Sequence, residues 1–289
     1  MNAQTNQFLG CDCPYAEAET VIFGAPYDST TSFRPGTRFG PAAMRMESFG
    51  IETYSPLQDR DLVEDTKVFD AGDIELPFGA PEPALKMIES LAAEILADGK
   101  RPYLLGGEHL VTLGSVRAVL KKYPDLVIFH FDAHADLRAD YLGNPLSHAC
   151  VLRRCHDLMG DGRIFQFGIR SGTRDEFQFM RDGHVTTEPF TDLTLVSVVA
   201  SISKTTPVYL TIDMDVLDPS EFPGTGTQEA GGFRYNQLVS DMRQICSQLN
   251  VVALDNVELN PGLDPTGRST ALACKFLREC ALAVGQKNR

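Results

Sequence analysis

The chain is poor in positive charge: 26 Lys and Arg stand against 39 Asp and Glu among 289 residues, a formal charge of −13. It has no clustered basic run, which a phosphate backbone or an anionic membrane surface requires, so neither nucleic acid nor membrane is expected as a partner. No apolar stretch reaches the roughly 18 residues of a membrane span. Residues 1–13 are polar and lack the basic start and apolar run of a signal peptide. The seven cysteines (Cys11, Cys13, Cys150, Cys155, Cys246, Cys274 and Cys280) are odd in number and scattered, so no disulfide framework is implied. Cys11 and Cys13 form one CxC pair without a second, a weak metal motif, and most of the others read as small buried hydrophobes. A cytoplasmic protein is expected. Repeats, low-complexity tracts and Ser/Pro-rich linkers are also missing.

What is present is ordinary globular composition, 43% hydrophobic and 22% charged. Short apolar runs alternate with amphipathic ones, predicting strands at 21–25, 67–71, 102–105, 126–132, 163–169, 184–187, 208–213 and 251–257. Helices are expected at 81–98, 233–249 and 268–284. In the first of these Leu85, Ile88, Leu91 and Ile95 share a face and Gly99 is the stop. Near-continuously apolar strands joined by helices mean an α/β protein whose parallel sheet is covered on both faces. One domain over 1–289 is expected, with 1–20 as an irregular extension. Loops of the first sixty residues, with Pro26, Pro35, Pro41 and Pro56, are expected to cover a sheet edge or the mouth of a cleft.

Three apolar runs end in acids and histidines. The run 126–131 leads into Asp132-Ala-His134-Ala-Asp136, the run 208–212 into Asp213-Met-Asp215, and 103–105 into Gly106-Gly107-Glu108-His109. Ligands of an open parallel sheet sit beyond the carboxyl ends of its strands, so these side chains are expected on one rim. Residues i and i+2 share a face of a strand, which lets Asp132 converge with His134 and Asp213 with Asp215. Gly106 and Gly107 are expected to let the backbone turn tightly and bring His109 close. Four ionised carboxylates in one pocket repel one another at several kcal/mol per buried ion. Two divalent cations neutralise them, and an oxygen-rich set with a minority of His suits Mn²⁺. Two ions need more contacts than six single ligands supply, so Asp132 and Asp213, the first acid on each strand, are expected to bridge. His130 reads as a buried supporting or core histidine. His156 and His184 have no partners in the sequence and default to structural roles.

At these residues the chain resembles the ureohydrolases, the family of arginase and agmatinase, with the agmatinase branch nearest. GGEH109, D132AHAD136 and D213MD215 are similar to the family's metal signatures; R34PGTRFGP41, F69DAGD73, G168IRSG172, P223GTGT227 and V257ELNPGLD264 extend the likeness. The resemblance implies a three-layer α/β/α fold with a mostly parallel eight-stranded sheet, assembled as trimers or hexamers. It also implies two Mn²⁺ per chain, one held by His109, Asp132, Asp136 and Asp213, the other by Asp132, His134, Asp213 and Asp215. Glu258 takes the place of the acid that pairs with a guanidinium, and His148, in L146SHAC150, that of the proton shuttle. The candidate catalytic residues are thus His148, Glu258 and Asp136.

The chemistry so implied is hydrolysis of a small cationic guanidino substrate, foremost agmatine to putrescine and urea. Departures from the family pattern are Asn256, where an apolar residue is usual, and Ala135, where a hydroxyl is common. Asn256 is expected beside Glu258, where it alters substrate contact. The loop 137–147 lacks the Asn and Ser pattern with which arginases grip an α-carboxylate, which favours decarboxylated substrates. Guanidinobutyrate, guanidinopropionate, arginine, formiminoglutamate and guanidine remain alternatives, because specificity lies in the covering loops. Two other classes are a two-metal phosphatase, whose later motifs are missing, and a non-catalytic metal-binding paralogue.

Overall fold

A computed structural model describes residues 7–285. Strands β1 (Thr20–Ala25), β4 (Val68–Asp73), β5 (Arg101–Gly106), β6 (Val127–Phe131) and β7 (Ile164–Ile169) join β8 (Thr186–Pro189), β9 (Pro207–Asp213) and β10 (Asn250–Val257). They form one eight-stranded sheet in the order β4-β1-β5-β10-β9-β6-β7-β8, and every pairing in it is parallel. All eight expected strands are found, with ends shifted by one or two residues. A small antiparallel pair, β2 (Tyr54–Ser55) and β3 (Arg60–Asp61), was not expected; strands of two residues carry too little pattern to read.

Helices α1 (Gly40–Glu47), α2 (Leu62–Asp65), α3 (Pro81–Ala97), α4 (Val111–Lys122) and α5 (Val151–Met159) fall in the first half. The second half has α6 (Arg174–Arg181), α7 (Leu195–Ser201), α8 (Tyr235–Gln248) and α9 (Arg268–Val284). Pro81 opens α3 at a position whose N–H needs no partner, and Gly99, at φ 74°, follows its end. Within α3, Leu85, Ile88 and Ile95 are buried, while Leu91 is only half-buried. The third expected helix, 268–284, matches α9. The second starts late: Phe233 is buried in the core and bridges Leu217, so α8 begins at Tyr235. A full capping box, Thr173 with Glu176, starts α6.

Strand side chains alternate between two hydrophobic layers. Ile22, Tyr103, Leu105, Phe129, Phe131 and Ile212 pack towards α8 and α9. Val21, Phe23, Leu104, Ile128 and Tyr209 pack towards α3, α4 and α5. This period-two exchange makes three layers, α/β/α. Among the described residues no helix is long and apolar enough to cross a membrane.

Topology positions the site. The four motif-bearing strands β5, β10, β9 and β6 are adjacent at the centre of the sheet, although β10 is last in sequence. β10 joins a three-stranded flank (β4-β1-β5) to a four-stranded one (β9-β6-β7-β8), and the carboxyl ends on either side of it form one rim.

Candidate metal centre and catalytic cleft

Each central strand delivers its acids to the rim by a local device. Asp213 accepts the amide of Asp215 (2.8 Å), turning the chain into one 3₁₀ turn, Met214–Val216, directly after β9. Asp132 accepts the amide of His134 (2.6 Å) in the same way after β6. Asp136 and Glu258 both sit in the left-handed region, at φ 52° and 66°. Side chains other than glycine rarely adopt that conformation, and where they do it is commonly at a functional site. The chain bends at 107–108, directly after β5, and brings His109 to the rim as expected. Gly107 also serves close approach: a Cβ there would lie 2.0 Å from the Tyr27 carbonyl oxygen.

The six expected ligands converge. His109 Nδ1 lies 3.1 Å from Asp132 Oδ2, 3.2 Å from Asp136 Oδ2 and 3.4 Å from Asp213 Oδ2. His134 Nδ1 lies 3.0 Å from Asp215 Oδ2 and 3.4 Å from Asp132 Oδ1. Asp132 therefore turns one oxygen to each histidine. Asp213 turns Oδ2 to His109, while its Oδ1 is engaged by the Asp215 amide. All of these side chains except His134 are buried.

Hydrogen bonding fixes which nitrogen of His109 faces the acids. Thr211 Oγ1 donates to Asp255 Oδ1 (2.6 Å), so at 3.0 Å it accepts from His109 Nε2. With Nε2 carrying the proton of the neutral ring, the Nδ1 lone pair points at three carboxylates, and Nδ1 is buried without a hydrogen-bond partner. A lone pair facing anions is repulsive unless a cation stands between them. Without one, a second proton must fill the gap. Burial opposes that proton, but Asp132, Asp136 and Asp213 outweigh it and raise the His109 pKa well above the usual imidazole range. Burial and the neighbouring Asp215 and Asp132 likewise push Asp213 far up. The donor set fits a pair of divalent cations.

Supporting residues complete the rim. His130 Nε2 donates to Asp132 Oδ2 (2.8 Å), while Gln166 Nε2 donates to His130 Nδ1 (3.0 Å), as expected of a buried supporting histidine. Asp255, buried at the end of β10, accepts from Thr112, Tyr209 and Thr211. Arg170 donates to the carbonyls of Asp215, Val216, Leu217 and Glu229, clamping the turn after β9. The sequence reading missed Gln166, Arg170, Thr211 and Asp255. Only Arg170 lay in a quoted segment, and nothing in that segment marked its carbonyl partners.

Beside the rim stand the catalytic candidates. Glu258 Oε1 accepts the His109 amide (2.8 Å) and lies 3.2 Å from His148 Nδ1. His148 Nε2 meets the Ser32 amide (3.0 Å) and Ser32 Oγ (2.8 Å). Burial holds the His148 pKa down, but Glu258, with Asp136 and Glu108 further off, carries it to about 9. Ser32 comes from the loop after β1, which the buried Glu108 anchors through Thr30 and Thr31. The early loops do cover the cleft mouth, but Ser32 and Glu108 were not singled out for this. Asn256 corrects an expectation: it is buried against Tyr103, whose hydroxyl it accepts, and Met214, and makes no hydrogen bond to Glu258. Ala135 is buried, with its backbone bonded to Ser171 and Gln166.

The cleft beside these groups, about 230 Å³, is lined by His134, Asp136, His148 and Asp213, with Arg138, Tyr141 and Glu176 on an outer wall. Arg138 lies over the Tyr141 ring at 5.1 Å and 3.6 Å from Glu176. The cysteines take no part in the site: among the described residues all seven are free thiols, six of them buried.

Residues 18–283 match the arginase family. The chain is 45% identical over 276 residues to an agmatinase of Bacillus subtilis (strain 168) and 47% identical over 276 residues to an agmatinase of Bacillus anthracis, covering 95% of each chain in both cases. A Clostridium difficile chain of known crystal structure superposes with a TM-score of 0.91 at 46% identity, covering 94% of this chain and 99% of that one. The fold, the order of the motifs and the extent of these matches agree. The chain belongs to the arginase family.

Proposed function

We propose that this protein hydrolyses a guanidino compound, agmatine to putrescine and urea, on two Mn²⁺ ions held by His109, Asp132, His134, Asp136, Asp213 and Asp215. The observation that carries the reading is the lone pair of His109 Nδ1 aimed at three buried carboxylates. Such a pair of ions would neutralise the rim and would lower the pKa of a bound water from about 15.7 towards neutrality, supplying the nucleophile. Similarity to agmatinases supports the choice of substrate.

The chain's own residues do the rest. Glu258 uses Oε1 for the His109 amide and His148, leaving Oε2 to pair with the planar guanidinium and hold its carbon over the rim. His148, whose pKa Glu258 carries to about 9, gives a proton to the leaving amine as the C–N bond breaks. The Ser32 amide donates to Nε2 and Ser32 Oγ lies 2.8 Å from it, which orients the ring. One domain over 1–289 and a homo-oligomer, trimer or hexamer, belong to the same reading; exposed Phe39, Phe49 and Phe78 support an assembly surface.

A second reading has its own observation. Arg138 on the cleft wall suits a substrate with a carboxylate tail, such as guanidinobutyrate, although Glu176 offsets its charge. Urea release from agmatine, guanidinobutyrate and arginine by Mn²⁺-loaded protein separates the two. Agmatine is expected to give the highest kcat/KM, with activity lost to a chelator and restored by Mn²⁺. A preference for guanidinobutyrate that disappears in Arg138→Ala would favour the second reading. No urea from any of the three would overturn both.

A further inference from the structure

The sequence leaves His156 and His184 without partners, but the fold gives them a common one. His156 lies in the last turn of α5, Asp161 in the turn before β7, and His184 just before β8. All three therefore lie at the amino-terminal edge of the sheet, opposite the catalytic rim. His156 Nε2 is 2.7 Å and His184 Nδ1 is 2.8 Å from the same oxygen, Asp161 Oδ1. The three donor atoms lie within 4.8 Å of one another.

The cluster is held in shape. Phe179 stacks on His184 at 4.2 Å and meets His156 edge-on at 4.8 Å. Gly160 and Gly162, at φ 79° and 73°, fix the turn that presents Asp161, and the Gly162 amide donates to the His184 carbonyl (3.4 Å). Two imidazoles and one carboxylate with an open fourth position form a donor set that zinc uses. Tetrahedral ligation separates donor atoms by about 3.3 Å at metal–ligand distances near 2.0–2.1 Å. The exposed Asp161 side chain reaches this by opening its two contacts slightly. Nitrogen-rich donors favour zinc, nickel and copper over manganese, the reverse of the oxygen-rich rim.

We propose that His156, Asp161 and His184 form a separate surface site for one divalent transition ion of the zinc class, clasping the end of α5 to the turn before β8. The site is independent of the rim. It is nevertheless carried by the helix that follows His148, on the order of 12 Å along its axis.

The test is a metal count on intact, manganese-loaded protein equilibrated with micromolar zinc chloride and then gel-filtered. Wild type is expected to hold one ion per chain more than either Asp161→Asn or His184→Gln. Both variants are expected to show wild-type circular dichroism and wild-type urea release with manganese alone. Equal metal totals in wild type and both folded variants would overturn the proposal.

Discussion

Two strands of this molecule gather aspartates and settle their charge differently. On β4 the buried Asp70 receives Arg45 through Nε (2.7 Å) and Nη2 (2.9 Å), and the exposed Asp73 takes the same guanidinium at Nη1. That cluster is complete within the chain. At the central rim Asp132, Asp136, Asp213 and Asp215 have, among the described residues, no Arg or Lys ion pair, only imidazoles. A third solution is Asp241 on α8, where burial and the neighbouring Asp192 raise the pKa to about 8, so a proton takes the place of a cation. A buried anion that the chain leaves uncompensated marks where something else must bind; one it compensates marks scaffold.

The contrast can be broken in several ways. Asp132→Ala, which removes the acid facing both histidines, is expected to abolish urea formation and to lower bound metal below the wild-type count. Full metal retention by elemental analysis would refute its bridging. Glu258→Gln keeps both metals but loses about 10²–10³-fold in kcat/KM, the scale of a buried charged contact of roughly 3–4 kcal/mol; loss of metal would instead place Glu258 among the ligands. Opposite signs are expected from the two clusters in chelator-treated protein. Arg45→Met destabilises it by about 3–5 kcal/mol in urea titration, because Asp70 is left buried and unpaired. Asp213→Asn relieves crowding and raises Tm by a few degrees, roughly 2–4 °C per kcal/mol for a chain of this size. A drop in Tm for Asp213→Asn would show that the rim is not charge-strained.

A pH-dependent test belongs to Asp241. Its folded-state pKa lies above its unfolded value, so its stabilising protonation is present in acid and lost as pH rises from the carboxylate range towards 8. Asp241→Asn is expected to be more stable than wild type at pH 9, with the gap in Tm narrowing as pH falls towards 5. A gap that stays constant across that range would show that Asp241 does not titrate there.

Much of this was legible in residue order. The six inner parallel strands follow from apolar runs, because burial on both faces leaves no polar alternation to misread; the edge strands β4 and β8 are partly exposed. The six ligand candidates follow from i, i+2 spacing at strand ends. The supporting partners were not legible, because they are set by strand neighbours rather than chain neighbours: Thr211 meets His109 only because β10 separates β5 from β9 by one strand. Asp70 and Asp73 also show the limit of motif reading. F69DAGD73 looks as acidic as the metal signatures, yet its partner Arg45 lies 25 residues earlier and turns it into scaffold. His156 and His184 stood alone in sequence, and only folding brings them to Asp161.

The position of β10 has a consequence for biosynthesis. As the polypeptide leaves the ribosome, its first seven long strands can form two separate sheets, and the last to emerge is the one that must slot between them. Until residues 250–257 arrive, the GGEH segment and the two aspartate segments belong to different half-bodies. A nascent or truncated product therefore cannot bring the six candidate ligands together.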